Sequence, residues 1–224
     1  MKAHRQTRTI LGYGELPLVE RQAPASNNDI FAIILSGDGG WADLDRDFGN
    51  AFQSRGLSTV GFDCLQYFWK PREPAEVSRD LDAVIRCYME VWKKKRVLLV
   101  GYSFGADWLP LLVNRLPSDL QGRVHQVVLL APSESVNVEI KMGDWFQDVQ
   151  RPGALNVVLE AARIHQPVLC VYGAEEEDKS ICPRLKGSNV RHLRMPGGHH
   201  FDKQYSPIED AILRDIEADL TRGD

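Results

Sequence analysis

The sequence has little that would indicate a nucleic-acid partner or a membrane span. Its 27 lysines and arginines are outnumbered by 31 aspartates and glutamates, so no basic excess suggests nucleic acid. No apolar run approaches the roughly 18 residues that a membrane-spanning helix needs. The polar start, Met1 to Arg8, lacks the apolar segment of a signal peptide. This start leaves two expectations open, a cytoplasmic protein or an already processed chain.

Cysteines are also few, and their spacing does not fit the common zinc motifs. The four cysteines, at positions 64, 87, 170 and 182, form no C-x-x-C pair, so we expect no metal. Cys170 ends an apolar, strand-like run and Cys182 follows in the next loop, so a disulfide between them can tether that loop. Separate reduced cysteines are the alternative, because free cysteines are commonly buried.

Strand-like and helix-like segments alternate along the chain. The predicted strands are 30–35, 59–62, 97–100, 124–130, 167–173 and 190–195, after one or two edge strands in 8–22. The predicted helices are 42–55, 75–94, one that follows a serine motif to about 115, 154–164 and 206–221. Residues 132–153 are irregular and are predicted to be a small insertion near the site. This alternation predicts an α/β fold with a mostly parallel sheet and helices on both faces. No repeat or linker interrupts it, so we expect one domain over residues 1–224.

The most informative segment joins a predicted strand to a predicted helix through Gly-x-Ser-x-Gly. Four β-forming residues, 97–100, lead into Gly101-Tyr102-Ser103-Phe104-Gly105. This layout is typical of a nucleophile elbow, in which a sharp turn presents a serine and the glycines keep Cβ atoms out of a crowded backbone. The motif therefore predicts Ser103 as a nucleophile.

A serine hydroxyl needs a histidine base, and that histidine needs a carboxylate. In α/β-hydrolases these follow the serine in the order acid, then histidine, each on a loop after a strand. The chain offers an acidic loop at 175–178 and the pair His199-His200 in that order. We take Asp178 as the acid, with Glu176 as second choice. We take His200 as the base, with His199 as second choice.

The glycine-rich loop after the 30–35 strand is expected to complete an oxyanion hole. One donor is predicted to be the Phe104 N–H and the other to come from the loop around Asp38 and Gly39. A phosphate-binding loop is the competing interpretation, but the Walker lysine and a G-x-G-x-x-G pattern are both missing. Such a site requires no cofactor.

Aromatic and acidic residues in the predicted loops suggest how a substrate is held. Aromatic side chains can line an acyl or lipid pocket, with core packing as the alternative. Carboxylates near the mouth would attract a cationic substrate, with solvated charge as the alternative. The predicted substrate-binding residues are Asp38, Trp41, Tyr67, Trp69 and Asp107.

Four segments together resemble the VirJ family of bacterial virulence proteins and the matching C-terminal domain of AcvB. They are SGDGGW at 36–41, YFW at 67–69, GYSFGAD at 101–107 and GGHHF at 197–201. The resemblance covers about residues 28–222. It implies an α/β-hydrolase fold, for which we expect a minimal lid, and a periplasmic location. It also implies Ser103 as nucleophile, the histidine pair as base and the 175–178 loop as the source of the acid.

The same resemblance implies two kinds of partner. Its AcvB branch implies hydrolysis of lysyl-phosphatidylglycerol, and hence peripheral contact with a membrane surface. Its VirJ branch implies association with a type IV secretion system and its substrates. In an oxidising periplasm the Cys170–Cys182 disulfide becomes the expected state.

The residues and the resemblance together predict a serine hydrolase that cleaves the ester bond between the aminoacyl group and phosphatidylglycerol. One alternative is a periplasmic secretion accessory that acts by binding proteins. The other is a general carboxylesterase or thioesterase. An intact order of serine, acid and histidine favours an enzyme over a scaffold, which has no need of it.

Overall fold

The computed structural model describes residues 6–10, 14–24, 28–141 and 152–220. The predicted insertion at 132–153 therefore lies partly outside the described residues, as do its aromatic residues Trp145 and Phe146. In the described part of this segment, residues 135–136 pair antiparallel with residues 155–156. The sequence did not predict this pairing, because two-residue strands carry no periodic signal.

Ten strands are described, and eight of them form one sheet. They are β1 Gln6–Ile10, β2 Gly14–Arg21, β3 Ile30–Leu35, β4 Thr59–Phe62, β5 Arg96–Tyr102, β6 Val124–Leu130, β7 Ser135–Val136, β8 Leu155–Asn156, β9 Val168–Gly173 and β10 Val190–Met195. The large sheet has the order β1-β2-β4-β3-β5-β6-β9-β10. In this sheet β2 pairs antiparallel with both β1 and β4, and every other neighbouring pair is parallel.

The central strands are apolar on both sides because helices cover both faces of the sheet. The described helices are α1 Asp43–Ser54, α2 Cys64–Tyr67, α3 Pro74–Val91, α4 Phe104–Val113, α5 Ser118–Gln121, α6 Val157–Ala161 and α7 Ser206–Leu220. Alternate residues of β3 belong to two separate cores: Ile33 packs with α3 and α4, whereas Ile34 packs with α1 and α7. The predicted fold class is confirmed, although α6 is shorter than the helix predicted at 154–164. Within the described residues, no helix is both long and apolar enough to cross a bilayer.

The fold brings distant loops to one edge of the sheet. The parallel strands β3, β5, β6, β9 and β10 all end on the same side, and the loops that follow them meet there. Open α/β sheets bind their ligands at this edge. The loops carry the serine motif, the glycine-rich segment, the acidic segment and the histidine pair.

Candidate active site

Ser103 lies at a sharp turn between β5 and α4. Its backbone has φ +52° and ψ −118°, a strained conformation for a residue with a side chain. Both motif glycines are required by close contacts. A Cβ at Gly101 would lie 2.5 Å from the Gly105 carbonyl oxygen, and one at Gly105 would lie 2.3 Å from the Leu35 carbonyl oxygen. The turn therefore has the geometry of a nucleophile elbow.

His199, and not His200, contacts the serine. The His199 Nε2 atom lies 2.8 Å from Ser103 Oγ, within hydrogen-bond distance. The first choice, His200, is therefore wrong for this contact and the second choice is right. The choice depends on the backbone path after β10, and the rings of the two adjacent histidines stand at 87° to each other.

Glu176, and not Asp178, lies behind the histidine. The His199 Nδ1 atom is 2.9 Å from Glu176 Oε2. The first choice of acid is therefore also wrong for this contact. Glu176 ends the short helical turn that starts directly after β9, close to the sheet edge, whereas Asp178 lies two residues further along and is exposed. The glutamate also reaches one methylene further than an aspartate would.

His200 binds Tyr102 instead. Its Nδ1 atom is 2.6 Å from the Tyr102 hydroxyl oxygen, which also lies 3.4 Å from the carbonyl oxygen of His199. Burial, with His199 nearby, lowers the pKa of His200, and burial also raises the pKa of the Tyr102 phenol. Both groups are therefore neutral near pH 7. Tyr102 was missed as a site residue, although its position directly before the nucleophile was a usable signal.

The predicted oxyanion loop lies next to the nucleophile. A Cβ built on Gly37 would be 3.6 Å from the Ser103 Cβ atom, and the loop closes in a turn in which Gly40 N–H donates to the Gly37 carbonyl at 3.1 Å. Asp38 and Gly39 line the same cleft as Ser103. Phe104 is the first residue of α4, where a backbone N–H has no partner within the helix. The structure thus places Phe104, Asp38 and Gly39 in the same cleft as the serine, and their role as oxyanion donors stays a prediction.

These residues lie in a cleft of about 1080 Å³ whose wall is rich in carboxylates. Two lysines, Lys179 and Lys203, are also in the wall. Among the acids, Glu134 pairs with Arg184, which lies outside the wall. The lining carboxylates are Asp38, Asp43, Asp45, Asp107, Glu134, Glu139, Glu176 and Asp178.

The predicted substrate-binding aromatics do not line this cleft. Trp41 is buried with its ring packed on Gly61, and Tyr67 is buried with its hydroxyl bound to Asp80. Trp69 is 54% exposed and is not part of the described cleft wall. Trp41 and Tyr67 thus pack in the core and Trp69 points to solvent, so none of the three lies in the wall of the cleft that holds Ser103.

Of the two predicted substrate-binding acids, Asp38 lines the cleft but Asp107 is already engaged. The Asp107 carboxylate accepts the Ser133 N–H and the Ser133 hydroxyl, both at 2.6 Å. It therefore fastens the loop after β6 to the nucleophile helix while it also lines the cleft, and its predicted contact with a cation stays a prediction.

Asp45 is a second residue that the sequence did not reveal. It is only 1% exposed, its Oδ2 atom accepts the Ala42 N–H at 3.0 Å, and its Oδ1 atom contacts no hydrogen-bond donor among the described residues. Burial raises the pKa of Asp45 to about 7. Its helical position, at the third residue of α1, gave the sequence no reason to place it in the cleft wall.

A disulfide joins the two ends of the acidic segment. Cys170, on β9, is bonded to Cys182, twelve residues later, and both are buried. The bond closes the loop that contains Glu176. The Cys170–Cys182 pairing that the family resemblance made the expected state is present.

Solved structures share this fold at low sequence identity. Proline iminopeptidase from Mycobacterium smegmatis is 14% identical with a TM-score of 0.69, covering 98% of this chain and 100% of that one. The esterase Pf2001 from Pyrococcus furiosus is 16% identical with a TM-score of 0.63, covering 91% and 85%. Est1E from Butyrivibrio proteoclasticus is 13% identical with a TM-score of 0.64, covering 91% and 95%. These likenesses establish the α/β-hydrolase fold.

The family is established by the sequence itself. A comparison with curated protein sequences gives no match. The sequence profile of the bacterial virulence protein VirJ, however, matches residues 29–220. That match spans the parallel sheet from β4 to β10 and every loop of the candidate site. The chain therefore belongs to the VirJ family and has an α/β-hydrolase fold, in which hydrogen bonds link a serine to a histidine and that histidine to a glutamate.

Proposed function

We propose that the protein is a serine hydrolase that cleaves the aminoacyl ester of a phospholipid, with lysyl-phosphatidylglycerol as the substrate. The observation that carries the proposal is the hydrogen-bonded chain Ser103–His199–Glu176 in a cleft lined with carboxylates. Each contact has the length and the partner that nucleophilic catalysis by serine needs.

In the first half-reaction, the Ser103 oxygen attacks the lysyl carbonyl carbon while His199 Nε2 takes the hydroxyl proton. Glu176 holds the histidine in the tautomer with a proton on Nδ1 and stabilises the imidazolium that forms. The Phe104 N–H and a donor from the Asp38–Gly39 loop bind the oxyanion. Collapse of the intermediate breaks the ester bond, and His199 gives its proton to the leaving glycerol oxygen.

In the second half-reaction, water replaces the alcohol. His199 removes a proton from the water, the hydroxide attacks the lysyl-serine ester, and the proton returns to Ser103 as the bond breaks. The products are free lysine and phosphatidylglycerol, and the enzyme is restored.

The charge of the cleft supports a cationic acyl group. A lysyl ester carries two ammonium groups, and the cleft wall holds eight carboxylates and two lysines, although Asp45 is buried with a pKa of about 7 and Asp107 is already bound to Ser133. Three of the acids form ion pairs with basic residues of the protein itself, which are Asp43 with Arg46, Glu134 with Arg184, and Glu139 with Lys141. Asp38 makes no ion pair within the described residues and lies in the oxyanion loop, so we assign it to the substrate ammonium.

The disulfide supports an oxidising compartment. Disulfides persist in the periplasm and outside cells and are rare in the cytosol. The Cys170–Cys182 bond therefore favours the periplasm, where the substrate lipid would be met at a membrane surface.

The proposal is tested by measuring lysine release from lysyl-phosphatidylglycerol in detergent micelles by wild type and by Ser103→Ala. We expect the variant to lose at least about 10³-fold in turnover, because the nucleophile is gone. Ser118→Ala, at an exposed helix start outside the cleft, is the matched control and should keep full activity.

Equal turnover by wild type and Ser103→Ala, or none by either, would reject the proposal. Faster cleavage of short neutral esters than of aminoacyl esters would instead identify a general esterase. A native protein without any esterase activity that binds secretion-system proteins would identify the accessory role.

A further inference from the structure

We propose that Tyr102 and His200 form a positioning pair that holds the histidine loop against the elbow strand, so that His199 faces Ser103. The inference rests on the proposed function, because it assigns the pair a role in the same reaction. Neither residue needs to touch the substrate for this role.

The pair links the two halves of the site at the residues directly next to the reacting groups. Tyr102 precedes Ser103 at the end of β5, and His200 follows His199 in the loop after β10. The Tyr102 hydroxyl oxygen lies 2.6 Å from His200 Nδ1, which is within the range of a strong hydrogen bond. The two triad residues are therefore joined twice, once through Ser103–His199 and once through their chain neighbours.

The tyrosine also contacts the loop at other points. Its hydroxyl is 3.4 Å from the His199 carbonyl oxygen, and its ring centroid is 5.6 Å from that of the His199 ring. The Tyr102 ring itself is buried, only 7% exposed, in the core between the sheet and α1 and α7. A rigid phenol thus presents its hydroxyl to a loop that has little regular structure of its own.

The loop needs such a support. Directly after His200, the three residues 201–203 all have positive φ, between 50° and 57°, a conformation that disfavours residues with side chains. Phe201 is fully buried and anchors the loop on one side of the histidines. The Tyr102 contact fixes the other side, and small displacements of a catalytic group are costly in rate.

Burial disfavours the charged form of both partners, so the Tyr102 hydroxyl can donate to an unprotonated His200 Nδ1. Burial keeps the pKa of Tyr102 high, and burial together with His199 keeps the pKa of His200 low. A protonated His200 would also repel the imidazolium that forms on His199 during the reaction.

The test measures kcat and KM on a water-soluble lysyl ester for Tyr102→Phe, His200→Ala and the double variant. We expect each single change to lower kcat about tenfold with little change in KM, because the base is misplaced while substrate binding is kept. We expect the double variant to lose no more than either single variant, since both remove the same contact. His200→Asn, whose amide lies near the position of Nδ1, should restore most of the loss.

Two matched variants control for structural damage. Tyr88→Phe removes another buried tyrosine hydroxyl, one bound to Glu20 outside the cleft, and His192→Gln replaces an exposed histidine on β10. Both should keep wild-type kcat, and Tyr102→Phe should unfold at a temperature close to that of Tyr88→Phe. Wild-type kcat in Tyr102→Phe, or losses that multiply in the double variant, would overturn the positioning pair. Failure of the proposed function has a different signature, which is activity that survives Ser103→Ala or the absence of turnover by wild type.

Discussion

At the scale of single residues, the acid behind the histidine is the sharpest test of the geometry. Glu176 contacts His199 at 2.9 Å, whereas Asp178 is exposed and contacts neither triad partner among the described residues. We expect Glu176→Gln to lower kcat/KM about 10³- to 10⁴-fold, because an amide in place of the carboxylate disfavours the required tautomer. Asp178→Asn should cost less than about tenfold. The reverse ranking in a steady-state assay would contradict the assignment.

The chemistry of the site was predictable from sequence, but the choice between neighbours was not. The serine motif and the order of acid and histidine depend on residue types and spacing, which the sequence shows directly. Whether His199 or His200 faces the serine depends on a few backbone angles after β10, and no pattern in the sequence encodes them. The same holds for the choice between Glu176 and Asp178, because it depends on the backbone path through the loop after β9.

Asp45 leads to a prediction about stability. Its pKa is near 3.8 in an unfolded chain and about 7 in the folded protein, so the folded state binds this proton more tightly. The contribution of protonated Asp45 to the free energy of unfolding is therefore fully present below about pH 4, and it is lost as the pH rises through 7. Asp45→Asn cannot ionise and keeps an oxygen for the Ala42 N–H.

We expect the free energy of unfolding of Asp45→Asn, relative to wild type, to rise by about 2.5 kcal/mol between pH 5 and pH 8. Urea denaturation at both pH values measures this difference. A relative stability that stays constant, or that falls with pH, would show that Asp45 is not held protonated by burial.

At the scale of elements, the disulfide ties the acidic loop to its strand. It closes a loop of twelve residues that contains Glu176. A cross-link of this length stabilises the folded state by about 3 kcal/mol, because it lowers the conformational entropy of the unfolded chain. The double variant Cys170→Ala/Cys182→Ala should therefore unfold at a lower urea concentration than wild type. In strong reductant that difference should largely vanish. A difference that persists unchanged in fully reduced protein would trace the loss to packing and not to the bond.

The elements themselves were mostly predictable, and their arrangement was not. The buried runs at β3, β4 and β6 match the predicted strands because apolar residues with a strong β preference stand between clear breaks. The order of the strands depends on contacts between residues far apart in sequence. The contact between Asp107 and Ser133, which binds α4 to the loop after β6, arises from that arrangement and gives no local signal.

At the scale of the whole molecule, a protein of net charge −4 has a cleft whose wall carries eight carboxylates and two lysines. An acidic cleft should speed the encounter with a cationic ester, and added salt should screen that attraction. We expect kcat/KM for a lysyl ester to fall severalfold between about 20 mM and about 500 mM NaCl, as screening lengths shrink below the cleft size. An uncharged ester of the same alcohol should change little. Equal salt responses would contradict recognition by charge.

We infer that Ser103 is a nucleophile activated by His199. The most direct measurement is the rate at which a fluorophosphonate labels the native protein, with the modified residue identified by mass spectrometry. We predict a single adduct on Ser103 in wild type and a rate at least about 10²-fold lower in His199→Ala, because the serine loses its base. An adduct on another residue, no adduct on native protein, or an unchanged rate in His199→Ala would contradict this role of Ser103.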